Sequence, residues 1–146
     1  MTEPLHRQLR ALRRDHRLAQ HQLADLMGVW RSTISRWERG IQSHSIPEAD
    51  RHARTLHHRL VILNQHGQII GDLLALLPTL PDLRKQRGLS QSDVARRMWS
   101  SRGGVANIDV RIRAGHAVRL STIAAYVAGM GCEVGLVPAR ALERAA

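Results

Sequence analysis

The sequence predicts a mostly α-helical protein made of two tandem five-element units, each followed by a short β-strand, with the two strands able to pair into a small sheet. Three observations predict it. Apolar residues recur at three- and four-residue spacing over most of the chain. The same pattern returns after a fixed offset. Gly67, Gly71, Pro78 and Pro81 punctuate the middle, and Pro78 cannot sit inside a regular helix. The expected units are residues 1–70 and 71–146.

In the first unit Leu5, Leu9 and Leu12 mark one face of an opening helix, and Gln20 to Met27 places Leu23, Leu26 and Met27 on one side of a second. A third segment, Arg31 to Arg39, turns Ile34 and Trp37 inward and stops at Gly40, a natural C-terminal cap. Pro47 suits the first turn of a fourth helix, which carries Ala49, Ala53 and Leu56 inward and ends near His57. Leu60 to Leu63 and Gln68 to Ile70 read as short strands around Asn64-Gln65-His66-Gly67, a loop with hairpin chemistry. In the second unit Cys132 to Val137 is the matching strand, followed by Pro138 and a short Arg-bearing tail.

The offset is specific. A shift of 71 lays Leu9, Leu12, Arg13, Leu18, Gln20, Ala24 and Glu38 on Leu80, Leu83, Arg84, Leu89, Gln91, Ala95 and Asp109. After a three-residue insertion near Ala114 the shift becomes 74, and Ile46, Ala49, Ala53 and Leu56 fall on Leu120, Ile123, Val127 and Met130. Apolar spacing alone recurs by chance; a glutamine, an alanine and a basic/acidic pair in the same register do not recur so easily.

Charge follows the same division. Twenty-two Lys and Arg against twelve Asp and Glu give +10, and the halves split at residue 71 hold eleven basic and six acidic residues each, so each carries +5. That surplus repels itself unless a polyanion neutralises it, which makes nucleic acid the first partner to consider. With no Phe and aromatics at 3%, a stacking surface for single strands is disfavoured. A single cysteine, Cys132, forms no internal disulfide and reads as a small buried filler. With no charged-then-apolar leader, a cytoplasmic, nucleoid-associated location is expected. The longest apolar stretch, Ile69 to Leu80, is broken by Asp72 and Pro78 and is far shorter than the roughly 20 residues of a membrane span. No Cys-x-x-Cys or His-Glu-x-x-His spacing accompanies His52, His57 and His58, and no phosphate loop or acid, His and nucleophile set is readable. Neither metal, cofactor nor catalysis is expected.

The segment Gln20-His21-Gln22-Leu23-Ala24-Asp25-Leu26-Met27-Gly28-Val29-Trp30-Arg31-Ser32-Thr33-Ile34-Ser35-Arg36-Trp37-Glu38-Arg39-Gly40 resembles the helix-turn-helix of the lambda-repressor and Cro family, also called the XRE family. The resemblance covers Leu5 to about Leu56. Its marks are the Gln opening the second helix, Ala at the fifth position, Gly in the turn, and the Ile-Ser-Arg-Trp-Glu-Arg-Gly ending. Ala24 lets two helices cross closely, Gly28 supplies a positive φ in the turn, and Ile34 and Trp37 close the core. The resemblance pairs Arg13 with Glu38, and the second copy keeps Arg84 and Asp109; as a solvent-exposed pair each would contribute only about 0 to 1 kcal/mol.

The resemblance also implies double-stranded DNA as partner. It places Gln20 at a phosphate, where its amide and the helix N-terminus both donate, and it sets Trp30, Arg31, Ser32, Ser35 and Arg36 on the groove-facing side. Arg31 and Arg36 are the expected base readers, since Arg bridges guanine O6 and N7 with about 1 to 3 kcal/mol of discrimination. Ser32 and Thr33 either reach bases or phosphates or cap the helix. Trp30 either covers a thymine methyl or packs on its own domain.

The second copy departs from the pattern: Trp99 replaces the turn glycine, Gly103 and Gly104 open its recognition helix, and Arg111 replaces the capping glycine. Gln91, Arg102 and Asn107 remain as candidate DNA contacts. Gly88 to Val137 also resembles antitoxin-type members of the family, in which a strand after the last helix helps dimerisation. The expected architecture is therefore two tandem helix-turn-helix domains with paired strands, a monomeric pseudo-dimer or a homodimer, presenting two recognition helices to major grooves about 34 Å apart. The expected function is a sequence-specific transcriptional regulator, a repressor acting by occlusion at an asymmetric site, from a bacterium or its phage. The alternative is an adaptor or anti-activator whose second domain binds a protein partner.

Overall fold

The computed structural model describes residues 3–145, and helices make up most of it. In the first half α1 (Leu5–Asp15), α2 (Gln20–Met27), α3 (Arg31–Glu38) and α4 (Ile46–Thr55) lead into strand β1 (His58–Leu63). A hairpin returns through β2 (Ile69–Asp72), and α5 (Leu73–Leu76) with a 3-10 turn (Leu77–Thr79) around Pro78 carries the chain across. The second half repeats the order with α6 (Leu80–Gln86), α7 (Gln91–Arg97), α8 (Arg102–Arg113), α9 (Leu120–Gly129) and β3 (Glu133–Pro138), and closes with α10 (Ala139–Ala145). The expected strands form one antiparallel sheet of order β2-β1-β3.

Local chemistry explains the ends. Ser45 caps α4, its Oγ accepting from the Glu48 N–H at 3.3 Å while Glu48 Oε1 accepts from the Ser45 N–H at 3.0 Å, a reciprocal capping box. Ser90 and Asp93 make the same box at α7. The insertion expected near Ala114 resolves into a longer recognition-type helix. Gly40 follows α3 with φ +70° and Gly115 follows α8 with φ +72°, an offset of 75 that the shorter loop before α9 reduces to 74.

The strands meet in a revealing register. Across β1 and β3, Val61 pairs with Gly135, and these two positions are themselves related by the offset of 74. The isolated bridge Ser45–Arg119 joins another pair related by 74. Around it the Ile46 N–H donates to the Val118 carbonyl at 3.0 Å and the Leu120 N–H to the His44 carbonyl at 2.8 Å, two bonds that exchange under the same shift. An antiparallel pairing between residues related by the offset has a local twofold at its centre, so at each of these two points corresponding backbone positions of the two halves exchange. Gly135 suits this crossing: a Cβ there would sit 2.5 Å from Leu63 Cδ1.

Packing is less symmetric than topology. Leu23, Ala24, Met27, Ile34, Trp37 and Leu56 form a cluster belonging to the first half alone. Ile46, Ala49, Ala53, Leu60 and Ile62 join Val94, Val105, Ile123, Tyr126, Val127 and Val134 in a larger core that spans both halves. The core thus runs across residue 70, because α4 and β1 each lay one face against the partner half.

Three expectations are corrected here. Leu26 is 63% exposed rather than inward, because the two-turn α2 already buries Leu23, Ala24 and Met27. The C-terminal tail is helical and α10 packs on all three strands; its seven residues hold too little periodicity to announce it. The Arg13–Glu38 and Arg84–Asp109 pairs are buried, with side-chain exposures of 9% and 1%, and 5% and 1%, because the two helices that carry each pair close over it.

Candidate nucleic-acid interface

The site begins at the turn between α2 and α3. Gly28 stands at φ +67° and ends α2, the left-handed region in which glycine is unstrained. Val29 and Trp30 then bring the chain into α3, with Trp30 as N-cap residue, its carbonyl accepting from the Thr33 N–H at 3.0 Å. No side chain caps this helix, so capping, one of the two roles weighed for Ser32 and Thr33, is not used. Ser32 is exposed and Thr33 half-buried.

One side of α3 is fixed inward. Ile34, Trp37 and Glu38 are 0%, 2% and 3% exposed. Helical periodicity sets Arg31, Ser32, Ser35, Arg36 and Arg39 along the opposite arc, where all are exposed except the half-buried Ser35. Arg39, the C-cap residue just past α3, joins this arc although the sequence reading does not single it out; its spacing of three and four from Arg36 and Ser35 is the signal. Trp30 is 81% exposed, so packing on its own domain is excluded. A tryptophan at an N-cap position forgoes the roughly 1 kcal/mol of a Ser or Asp cap and leaves an indole in water.

Beneath the arc lies the buried network that orients the helix. Arg13 Nε and Nη2 donate to Glu38 Oε2 and Oε1 at 2.7 and 2.9 Å, and Arg13 Nη1 donates to the Leu18 carbonyl at 2.7 Å. Burial pushes the Glu38 carboxyl up, but the hydrogen bonds from Arg13 and Gln20 and the Arg13 charge outweigh it and hold the group below its ordinary range. Gln20 Nε2 donates to Glu38 Oε1 at 3.2 Å, so the side-chain nitrogen expected at a phosphate is turned inward and helps lock α2 to α3. Trp37 stacks on His44 with centroids 4.1 Å apart, and His44 Nε2 and His52 Nδ1 share a 2.8 Å hydrogen bond. Burial lowers His44 to about 3 and His52 to about 4, so this wall of the helix is uncharged at neutral pH.

The second half rebuilds the frame with a different surface. Arg84 donates to Asp109 at 3.2 Å and to the Leu89 carbonyl at 2.9 Å, and Gln91 Nε2 donates to Asp109 Oδ2 at 2.9 Å; each of these bonds is the counterpart, 71 residues on, of one made by Arg13 or Gln20. On α8 the positions matching Arg31, Ser32, Ser35, Arg36 and Arg39 hold Arg102, Gly103, Ala106, Asn107 and Val110. Arg102 and Asn107 are exposed, and they are the two members of this arc with hydrogen-bonding side chains. Ser101 caps α8 through the Gly104 N–H at 3.0 Å, and Trp99 stands 97% exposed at the turn with φ +56°.

Residues 5–57 match the model of a helix-turn-helix domain family. The match ends beside β1, takes in α1 to α4, and supports a DNA-binding domain over that stretch. No curated protein and no solved structure matches the chain. Among the described residues no helix is long and apolar enough to cross a membrane, and no cluster of three potential metal ligands occurs.

Proposed function

We propose that the protein is a sequence-specific regulator of transcription that inserts α3 into the major groove of double-stranded DNA and represses by occluding its site. The carrying observation is the arc on α3 and its C-cap: exposed Arg31, Arg36 and the capping Arg39 with Ser32 and Ser35, on a helix whose other side is anchored by Trp37 and a buried ion pair. An outward guanidinium on a rigid helix is what bidentate guanine reading requires. The resemblance to the XRE family and the internal offset support a tandem duplication, so that one chain acts as a pseudo-dimer across its own twofold.

In this reading the first half reads sequence strictly through Arg31 and Arg36, and the second, through Arg102 and Asn107, adds weaker contacts, giving an asymmetric site. Selection of bound fragments from random duplexes at fixed salt identifies the preferred site. On it, Arg36→Ala is expected to lose about 1 to 3 kcal/mol of affinity and to relax one base pair. Undiminished binding by that variant would refute α3 as the reader.

A second reading is favoured by the glycines that replace side chains on α8 and by the exposed Trp99: the second half docks a protein partner such as an activator, toxin or polymerase subunit. Footprints of the Arg102→Ala/Asn107→Ala variant separate the two. Loss of protection over one half-site supports two DNA-reading domains, and an unchanged footprint supports the adaptor.

A further inference from the structure

A cavity of about 320 Å3 lies on the seam between the halves, with Leu9, Trp37, Ala124 and Val134 as apolar wall and Glu3 and Glu133 as its carboxylates. Its volume is at the lower end of those that hold small organic ligands. The lining contains no Lys or Arg, although the chain has 22. Among the described residues neither carboxylate is in an ion pair, and the Trp37 indole Nε1 is buried with no hydrogen-bond partner.

The twofold shows how unusual this is. Offsets of 71 and 74 carry Leu5, His6 and Glu133 to Leu76, Leu77 and Arg59. On that side α5 and the 3-10 turn pack over α4, β1 and α8, Leu76 and Leu77 rest on the shared core, and Arg59 Nη2 meets Asp72 Oδ1 at 2.6 Å. There the chain fills the position with leucines and supplies a counter-charge from within. On the cavity side His6 replaces a leucine, and Glu133 receives no guanidinium.

We propose that the seam cavity binds a small organic cation, a compact aromatic or alicyclic ring bearing one protonated amine, with the ring against Leu5 and Ala124 and the amine paired with Glu133. Apolar walls favour the ring, and two carboxylates in a lining that holds no Lys or Arg select against anions. Trp37 belongs to α3 and Gly40 ends it, so occupancy bears on the helix that carries the arginine arc; that consequence rests on the DNA-binding reading.

The test uses the full-length 15N-labelled chain and three matched probes: 2-phenylethylamine, neutral 2-phenylacetamide and anionic phenylacetate. Saturable shifts of cavity-lining amides are expected with the amine, with binding about tenfold weaker for phenylacetate. Glu133→Gln should erase the preference for the amine over the amide, and Ala124→Leu, which fills the cavity, should remove the shifts for all three. Equal binding of phenylacetate, no shift with any probe, or an unchanged amine preference in Glu133→Gln overturns the site. Duplex affinity measured with and without saturating amine then tests the coupling: a change of about threefold or more supports it, and none overturns it. Failure of the free protein to bind duplex DNA would sink the DNA-binding reading while leaving the cavity result intact.

Discussion

In the first half the buried guanidinium–carboxylate pair has two histidines for neighbours; in the second it has a tyrosine. His44 and His52 fall, at the offset of 74, on Val118 and Tyr126. Tyr126 uses its position well: its hydroxyl donates to Asp109 Oδ1 at 2.7 Å and accepts from Arg84 Nε at 3.2 Å, and burial with the Asp109 charge holds that hydroxyl proton far above its ordinary range. His52 instead hydrogen-bonds His44 and keeps a buried, unpartnered Nε2. The comparison separates two demands on one topology. Holding a recognition-type helix at a fixed angle requires the arginine, the acid and the glutamine, which both halves have. The proposed reading of duplex edges falls to the outward arc, rich in arginine on α3 and mostly silent on α8.

Removing the acid of either pair is expected to have the largest effect. Glu38→Ala and Asp109→Ala each strand a buried guanidinium and should lower unfolding free energy by about 3–5 kcal/mol, read from urea denaturation. A loss below about 1 kcal/mol in one half would show that the two networks are alike in geometry only.

Acid should distinguish the halves next. With both rings held near 3 and 4 by burial, neither His44 nor His52 contributes a pH dependence above about pH 7.5, where folded and unfolded chains are alike neutral. Below that, the unfolded chain takes up protons that the folded chain refuses, so stability falls as pH drops, by up to about 2 kcal/mol per ring between pH 7 and pH 5. The double variant His44→Val/His52→Tyr installs the second half's residues and should flatten that slope in urea midpoints taken across the same range; a slope identical to the parent chain's would place the acid sensitivity elsewhere.

The turn residues should respond in opposite directions. Gly28→Ala adds a Cβ whose nearest neighbour is Arg51 Nη2 at 3.7 Å, so its cost is the left-handed backbone, about 1–2 kcal/mol. Trp99→Gly relieves the same strain at φ +56° and should stabilise by about 1 kcal/mol. Thermal midpoints that move the same way for both would contradict the equivalence of the turns. The smallest effect belongs to Gly103, whose added Cβ meets nothing closer than Ser101 Oγ at 3.9 Å. Gly103→Ala should raise stability by about 0.5–1 kcal/mol, whereas the same change at Gly104 would bring a Cβ to 2.6 Å from Ser100 Oγ and gain less.

Much of the frame that carries the candidate site is legible in the sequence. Ala24, Gly28, Ile34 and Trp37 announce the turn and its packing because each answers a local geometric demand, and Arg13 and Glu38 pair because two helices bring those positions together. Trp30 was open to two readings because nothing local says whether an indole finds a pocket. Gln20 was expected to face outward, and only the position of Glu38, eighteen residues on, turns its nitrogen inward. The α10 helix escaped notice because short helices rely on packing more than on propensity.

Composition and spacing alone determined that the chain is basic, mostly helical and internally periodic, with an arginine-bearing helix after a glycine turn. These are local or additive properties, set by side-chain type and by the 3.6- and 2-residue periods of the backbone. Only the tertiary structure decided that Val61 meets Gly135 and Ser45 meets Arg119, that both ion pairs are buried, and that one side of the twofold is closed by leucines while the other keeps a cavity beside Glu133. Register and burial depend on which distant surfaces meet, and no window of sequence contains both partners.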